Sequence, residues 1–330
     1  MRYIKFILIS ICFFIDVLWS ECLCMDHPQE KQNAKILMRL IDENEINYHP
    51  HSAVLSLKSS FHIGKSLKER TATCFLTGDG FALTAAHAVF HEGVEAHKIE
   101  CYIGRHGDRL FDSIWTKSVE VKKYVYASSY NWNDKSHERS LNYDYALLYL
   151  GEIEEIIKIN PIKIAYYYTR PRNDLMICGY PGNEFNDVNK QKNHETAAFP
   201  YEAKANYADQ SIWTLTLSTP CFGGMSGSPI RFTDDGKIWK AIAILVSNEV
   251  YSQNTYGCLL TEKKVKTINA WKNIMLTASD SKEFYSKLEA LPFLDKYNLD
   301  KGSPYFFSEK EREREREKEN EGEDENCNIS

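Results

Sequence analysis

The segment T-A-T-C-F-L-T-G-D-G-F-A-L-T-A-A-H-A-V, residues 71–89, contains two short apolar runs separated by Gly78-Asp79-Gly80. Runs of the same kind recur along the chain, among them S-A-V-L-S-L, S-V-E-V-K-K-Y-V-Y, Y-A-L-L-Y-L, L-M-I-C-G-Y, I-W-T-L-T-L and A-I-A-I-L-V. Their valine, isoleucine, threonine and aromatic residues favour strands over helices. About ten short strands with turns between them predict an all-β barrel or sandwich. No period of 20 to 50 residues repeats, which argues against solenoids and propellers.

The composition is that of an ordinary globular protein. A chain of 330 residues can form one large β domain or two small ones. A net charge of −6, with 26% charged residues, provides no strongly basic surface that would hold a polyanion. No nucleic-acid partner is therefore expected.

The amino terminus resembles a secretory signal. A basic start is followed by an apolar stretch from Phe6 to Ile15, which is shorter than the roughly 20 residues that a membrane-spanning helix needs. We predict a signal peptide over residues 1–20, with cleavage near Ser20, a secreted or periplasmic location and no stable membrane span. Residues 21–50 are predicted to be a linker or propeptide, and the run A-K-I-L-M-R-L-I-D within it has helical spacing.

Export affects how the nine cysteines are interpreted, because secreted thiols usually meet an oxidising compartment. Their spacing lacks the pattern of a structural zinc site, and their pairing cannot be assigned from the sequence. For Cys178, within an apolar strand, a free buried thiol is the simplest expectation.

The carboxyl-terminal part is expected to be helical and then charged. Residues of about 262–276 have Val265, Ile268, Trp271, Ile274 and Met275 at helical spacing, with lysines expected on the opposite face. Residues 278–330 are predicted to form a further helical segment and a disordered tail, because residues 309–326 are almost all charged.

The strongest chemical signal is C-F-G-G-M-S-G-S-P, residues 221–229, in which small residues surround Ser226. A nucleophilic serine needs a base and two donors for the oxygen that becomes negative during acyl transfer. The backbone N–H groups of Gly224 and Ser226 are the candidate donors. Taken alone, this stretch is equally compatible with a simple Ser/Gly loop.

Two further residues complete the candidate catalytic set. His87 ends a strand among alanines that leave space for its ring, and Asp144 comes just before the apolar run A-L-L-Y-L. An acid that enters a core usually has a partner, and an imidazole N–H would be such a partner. The order His87, Asp144, Ser226, with spacings of 57 and 82 residues, matches the order of a known triad and suits two successive barrels.

These segments resemble those of the trypsin-like serine proteases, and G-Y-P-G at residues 179–182 resembles the bacterial glutamyl endopeptidase (V8-like) branch. The similarity covers roughly residues 52–276. It implies two six-stranded antiparallel barrels at right angles, over residues of about 51–152 and 162–262, within a protease domain of residues 51–277. The triad would lie between the barrels, the substrate would be a protein or peptide, and no cofactor or metal would be required.

Some positions depart from the family pattern. Met225 stands where pancreatic relatives carry an aspartate that pairs with a new amino terminus, so the support of the oxyanion peptide is left open. Ala88 replaces a cysteine that follows the histidine in vertebrate relatives.

The resemblance also places a substrate-binding wall at five positions: Pro220, Cys221, Leu245, Val246 and Ser247. None of them offers the groups that select glutamate, lysine or arginine at P1, the substrate residue on the acyl side of the cleaved bond. We predict a small or apolar P1 residue. The alternative for the whole chain is a catalytically inactive, protease-like binding module.

Overall fold

The structure is a computed structural model that describes residues 38–106, 117–133, 137–166, 174–182, 199–219, 221–249, 254–291 and 300–306. The predicted signal peptide, most of the predicted linker and the charged tail lie outside these ranges. Within them, no helix is both long enough and apolar enough to cross a membrane.

Nineteen strands lie within the described residues. They are β1 Arg39–Leu40, β2 Val54–Ile63, β3 Ser66–Gly78, β4 Phe81–Thr84, β5 Phe90–His91, β6 Val94–Glu95, β7 Lys98–Ile103, β8 Lys117–Glu120, β9 Lys123–Tyr126, β10 Ala146–Tyr149, β11 Lys163–Ile164, β12 Leu175–Gly179, β13 Tyr201–Ala205, β14 Tyr207–Gln210, β15 Thr214–Ser218, β16 Pro229–Thr233, β17 Trp239–Glu249, β18 Asn254–Leu259 and β19 Ser303–Phe306. The helices are α1 His137–Asn142, α2 Glu154–Ile157, α3 Glu262–Thr277 and α4 Ser281–Glu289.

Two curled sheets form the body of the protein, so the predicted all-β double barrel is confirmed. The first sheet has the order β19-β9-β10-β4-β3-β2-β7-β8, and the second runs β1-β13-β12-β16-β17-β18-β15-β14, with β11 paired to β17. The sheets therefore have eight and nine strands rather than six. The difference arises partly because segments distant in sequence, β1 and β19, add to the sheet edges.

β1 corrects one local expectation. Arg39 and Leu40 belong to the run predicted to be helical, but they pair with Glu202 and Tyr201 of β13. Pairing with a sheet edge overrides the helical spacing, because it satisfies backbone groups and lets Ile41 enter the core with no exposed surface.

Glu202 is the buried centre of a partly exposed charge cluster beside β1. It accepts hydrogen bonds from Arg39 and lies 3.0 Å from Nε2 of His51, while Arg231 lies 3.5 Å away. Burial alone would raise the pKa of Glu202, but the bonds from His51 and Arg39 outweigh it and lower the pKa to about 2. This carboxylate therefore anchors the amino-terminal strand through charge-assisted hydrogen bonds.

The predicted helix of about 262–276 is confirmed as α3, Glu262–Thr277, with Thr261 as its N-cap. Ile268, Trp271 and Met275 are completely or almost completely buried. One expectation about this helix was wrong, because Lys264 does not lie on an exposed face: it is only 4% exposed. Its amine donates to the Leu259 carbonyl and lies 3.2 Å from Sγ of Cys258, and these contacts compensate for lost hydration.

Candidate active site

His87 is held by a short, tightly packed turn. β4 leads into a 3-10 turn of residues Ala86–Ala88, and the neighbouring Ala85, Ala86 and Ala88 are buried. Their small side chains let the turn approach the first sheet closely. The His87 side chain remains 24% exposed, so one part of its ring faces solvent.

Asp144 meets His87 at two points. Its Oδ2 atom lies 2.6 Å from Nδ1 of His87, and its Oδ1 atom accepts a hydrogen bond from the His87 backbone N–H at 2.9 Å. The Asp144 side chain is only 7% exposed. Because an ionised carboxylate can only accept, Nδ1 carries the proton and Nε2 is left as a proton acceptor.

The segment that carries Asp144 packs against helix α3. Tyr145 stacks on Trp271 with ring centroids 5.5 Å apart, and both residues are buried. Sγ of Cys258 lies 3.2 Å from the Asn142 carbonyl, next to the Lys264 amine. Burial lowers the pKa of Lys264. The position of Asp144 thus depends on α3 as well as on β10.

Ser226 lies in the loop between β15 and β16. Gly227 has φ +92°, and a Cβ atom there would lie 1.9 Å from the Thr73 carbonyl, so only glycine fits. The Ser226 carbonyl accepts a hydrogen bond from the Thr73 backbone N–H at 2.8 Å. Strand β3 of the first sheet therefore fixes the serine loop.

The peptide between Gly223 and Gly224 is oriented by Gly182. The Gly223 carbonyl accepts from the Gly182 N–H at 2.6 Å. In a trans peptide the N–H points away from the carbonyl, so the Gly224 N–H points away from Gly182. Thr73 Oγ1 donates to the next carbonyl, that of Gly224, at 3.0 Å.

These contacts explain how the oxyanion peptide is supported although Met225 replaces the aspartate of pancreatic relatives. Met225 is completely buried, and its N–H donates to the Phe222 carbonyl. Among the described residues, the backbone N–H groups of Gly224 and Ser226 have no hydrogen-bond acceptor. Backbone and threonine contacts hold the loop where an aspartate ion pair is missing, and two N–H donors remain available.

His87, Gly224 and Ser226 line one cleft of about 380 Å³. Its lining also includes residues 69–72 of β3 and residues 222–224 of the serine loop. The His87 and Ser226 side chains make no direct hydrogen bond in the described structure. Such bonds are often long in unliganded sites and tighten when substrate binds.

The predicted P1 wall lies outside this cleft. Cys221, Leu245 and Val246 are 4%, 2% and 4% exposed, Ser247 is half-buried, and Pro220 lies outside the described residues. Burial raises the pKa of the Cys221 thiol to about 12, so the thiol is neutral at physiological pH. The role of these five residues stays a prediction.

Two supporting residues were missed in the sequence. Thr73 gave no signal, because its contacts with Gly224 and Ser226 cross between segments about 150 residues apart. Gly182 belongs to the G-Y-P-G motif, which indicated a family branch but no role. Among the described residues, no cluster of three or more His, Cys, Asp or Glu side chains could hold a metal ion.

The described cysteines form no disulfides. Cys178 is a buried thiol, as its strand position suggested. Cys74 and Cys101 are buried with their sulfur atoms 3.6 Å apart.

Two curled sheets, with a histidine–aspartate pair beside a cleft that also contains a glycine-flanked serine, form the arrangement of a serine protease. The sequence profile of the trypsin family matches residues 41–271, more than half of the chain. The chain therefore belongs to the trypsin family, and it is a serine-type endopeptidase by class. No functionally curated protein sequence matches it.

Solved structures show the same fold at low identity. A Glu endopeptidase is 16% identical, with 72% of this chain and 96% of the other aligned and a TM-score of 0.55. The protease Anisep from Arthrobacter nicotinovorans is 13% identical, covering 66% and 93%, with a TM-score of 0.50. The protein GrC is 15% identical, covering 72% and 98%, with a TM-score of 0.51. At these identities the likeness shows the fold alone.

Proposed function

We propose that the chain is an exported endopeptidase that cleaves peptide bonds with Ser226 as nucleophile, His87 as general base and Asp144 as the residue that orients His87. The observation that carries this proposal is the 2.6 Å contact between Nδ1 of His87 and the Asp144 carboxylate, beside a cleft that His87 shares with Ser226. Export rests on the apolar run from Phe6 to Ile15.

The reaction follows from the tautomer of His87. Nε2 takes the proton of Ser226 Oγ as the oxygen attacks the peptide carbonyl carbon, and the resulting imidazolium is stabilised by Asp144. Collapse of the tetrahedral intermediate breaks the C–N bond, and His87 gives its proton to the leaving amine. Water then attacks the acyl-enzyme in the same manner and releases the second product.

The oxyanion of the tetrahedral intermediate is stabilised by the N–H groups of Gly224 and Ser226. Both donors lie in a loop whose carbonyls are already engaged by Gly182 and Thr73. Donors fixed before the reaction need no reorganisation when negative charge develops, which is the main source of their effect on rate.

We further propose a small or apolar P1 residue. A neutral Cys221 thiol and the apolar Leu245 and Val246 offer no cation or fixed donor to a buried P1 carboxylate. A peptide library varied at P1 should therefore show faster cleavage after alanine, valine or leucine than after glutamate. A strong preference for glutamate would contradict this part of the proposal.

The triad is tested by hydrolysis of an internally quenched peptide. Ser226→Ala, His87→Ala and Asp144→Asn should each lower kcat by at least about 10³-fold. Ser228→Ala is the matched control, because Ser228 is buried in the same loop and its hydroxyl has no partner among the described residues. Full activity of Ser226→Ala would refute the proposal, and absence of hydrolysis by the folded wild type would favour a binding module.

A further inference from the structure

Arg70 stands out among the charged residues of the cleft. It lies on β3, lines the cleft together with His87 and Ser226, and is exposed. Among the described residues its guanidinium has no carboxylate within ion-pair distance. An exposed arginine on a strand is common, so its position and neighbours must decide whether it has a role.

The nearby acids are already paired with other cations. Glu69 lies 2.7 Å from the Lys58 amine, and Glu92 contacts the Lys68 amine at 3.4 Å and His91 at 3.3 Å. The two members of each pair neutralise each other, which leaves the positive charge of Arg70 uncompensated. Arg70 therefore contributes the one charge on the β3 lining of the cleft that has no ion-pair partner among the described residues.

Two half-buried residues, His91 and Tyr130, lie within electrostatic range of this charge. Burial lowers the pKa of His91, and the Arg70 charge lowers it further. Burial raises the pKa of Tyr130, the Asp144 carboxylate raises it further, and Arg70 opposes both effects. Arg70 thus lies within electrostatic range of groups that border the His87–Asp144 pair.

The side of the substrate that Arg70 meets follows from the cleft lining. The proposed P1 wall at Cys221, Leu245 and Val246 does not line this cleft. The acyl part of a substrate would lie against that wall, with its carbonyl at the N–H groups of Gly224 and Ser226. The β3 side of the cleft is then left for the leaving-group residues.

We infer that Arg70 selects substrates with an acidic side chain in the leaving-group segment, within the first three residues after the cleaved bond. This inference rests on the proposed function, because it assumes acyl transfer at Ser226. A carboxylate can accept two parallel N–H bonds from one guanidinium, which gives the contact direction as well as charge.

The test uses internally quenched peptides with a fixed P1 alanine and an amidated carboxyl terminus. The peptides differ only by Glu, Gln or Lys at each of the three leaving-group positions. For the wild type, kcat/KM should be about 3- to 5-fold higher with Glu than with Gln at one or more positions, the range of one partly solvated ion pair. The ratio should fall as salt is raised from about 0.05 M to 0.5 M.

Variants assign the preference to one side chain. Arg70→Gln should bring the Glu/Gln ratio to about 1, Arg70→Lys should restore part of it, and Arg70→Glu should favour Lys. Lys68→Gln is the matched control: it lies two residues away on the same strand, pairs with Glu92 and does not line the cleft. It removes the same unit of charge without removing the guanidinium, so it should keep most of the wild-type ratio, and a loss as large as in Arg70→Gln would overturn the inference of a direct contact. An unchanged ratio in Arg70→Gln, or no preference in the wild type, would overturn the inference.

Two further comparisons distinguish the alternative explanations. An all-alanine peptide with a free terminal carboxylate, compared with its amide, distinguishes capture of a chain end from capture of a side chain. If only the free acid is favoured, the side-chain inference is wrong. If Ser226→Ala cleaves as fast as the wild type, the proposed function is refuted. If cleavage depends on Ser226 but shows no preference for acidic residues, only the role of Arg70 is refuted.

Discussion

Replacing Thr73 by valine tests how the serine loop is held. Valine has nearly the shape of threonine, so the change removes the hydroxyl and little else. In the structure that hydroxyl donates to the Gly224 carbonyl at 3.0 Å and accepts from the Tyr180 N–H at 2.9 Å. Thr73→Val therefore leaves two inward-facing backbone groups without their partner.

The magnitude follows from these two contacts. An unsatisfied buried polar group costs about 1–3 kcal/mol, so the loss of partners for two such groups should lower the free energy of unfolding by about 2–6 kcal/mol. Loss of one oxyanion donor lowers kcat by about 10²–10³-fold in known enzymes. Because the Gly182 bond still orients the Gly224 N–H, we expect a smaller loss in kcat, about 10-fold, with little change in KM.

The assay combines urea unfolding with steady-state kinetics on a quenched peptide. Thr267→Val is the control, because Thr267 is 1% exposed, its hydroxyl also donates to a carbonyl at 3.0 Å, and it lies in α3 away from the cleft. The Lys263 carbonyl is still bound by the helix backbone, so Thr267→Val should lose little stability and keep the wild-type kcat. A folded Thr73→Val enzyme with wild-type kcat would refute the reasoning, as would an equal loss in the control.

Three further substitutions test the loop and the buried charges. Gly224→Ala should lower kcat at least about 100-fold, because Gly224 has φ +89° and a Cβ there would lie 2.5 Å from a backbone nitrogen. The control Gly223→Ala should stay active, because a Cβ at Gly223 meets no atom within 4 Å. Equal kcat values in the two variants would contradict this prediction. Glu202→Gln should lower the free energy of unfolding at pH 7 by up to about 3 kcal/mol, because the folded pKa of Glu202, about 2, lies below its unfolded value. This loss should vanish as pH falls from 4.5 through 2. A pH-independent loss in urea titrations would refute this prediction. Burial lowers the pKa of Lys272 to about 8, so the charged amine destabilises the folded state below that pH. Lys272→Met should therefore raise the free energy of unfolding at pH 7 by up to about 3 kcal/mol, and this gain should disappear as pH rises to 10.5. No gain at pH 7 would show that the amine is not desolvated.

The sequence predicted those features that depend on neighbouring residues. The short apolar runs predicted the strands, and amphipathic spacing predicted α3 within a residue of its observed end. His87, Asp144 and Ser226 were selected because each stands at the end of a local pattern, a strand end or a small-residue loop. The structure brings the first two into contact and the third to the same cleft.

Features that depend on distant segments could not be predicted. β19 adds to β9 across about 180 residues, and no local pattern at Ser303–Phe306 indicates its partner. Thr73 and Gly182 support the serine loop through contacts that only the folded chain creates. The burial of Lys264 was missed because helical spacing cannot reveal the carbonyl and thiol that compensate for its charge.

The most direct test of the catalytic account is to map a covalent label. The purified protein is treated with a fluorophosphonate, digested and sequenced by mass spectrometry, alongside Ser226→Ala and Ser228→Ala. We expect one phosphonylated residue, Ser226, in the wild type and in Ser228→Ala, and no label in Ser226→Ala. Labelling at another serine, or an unlabelled but folded wild type, would contradict it.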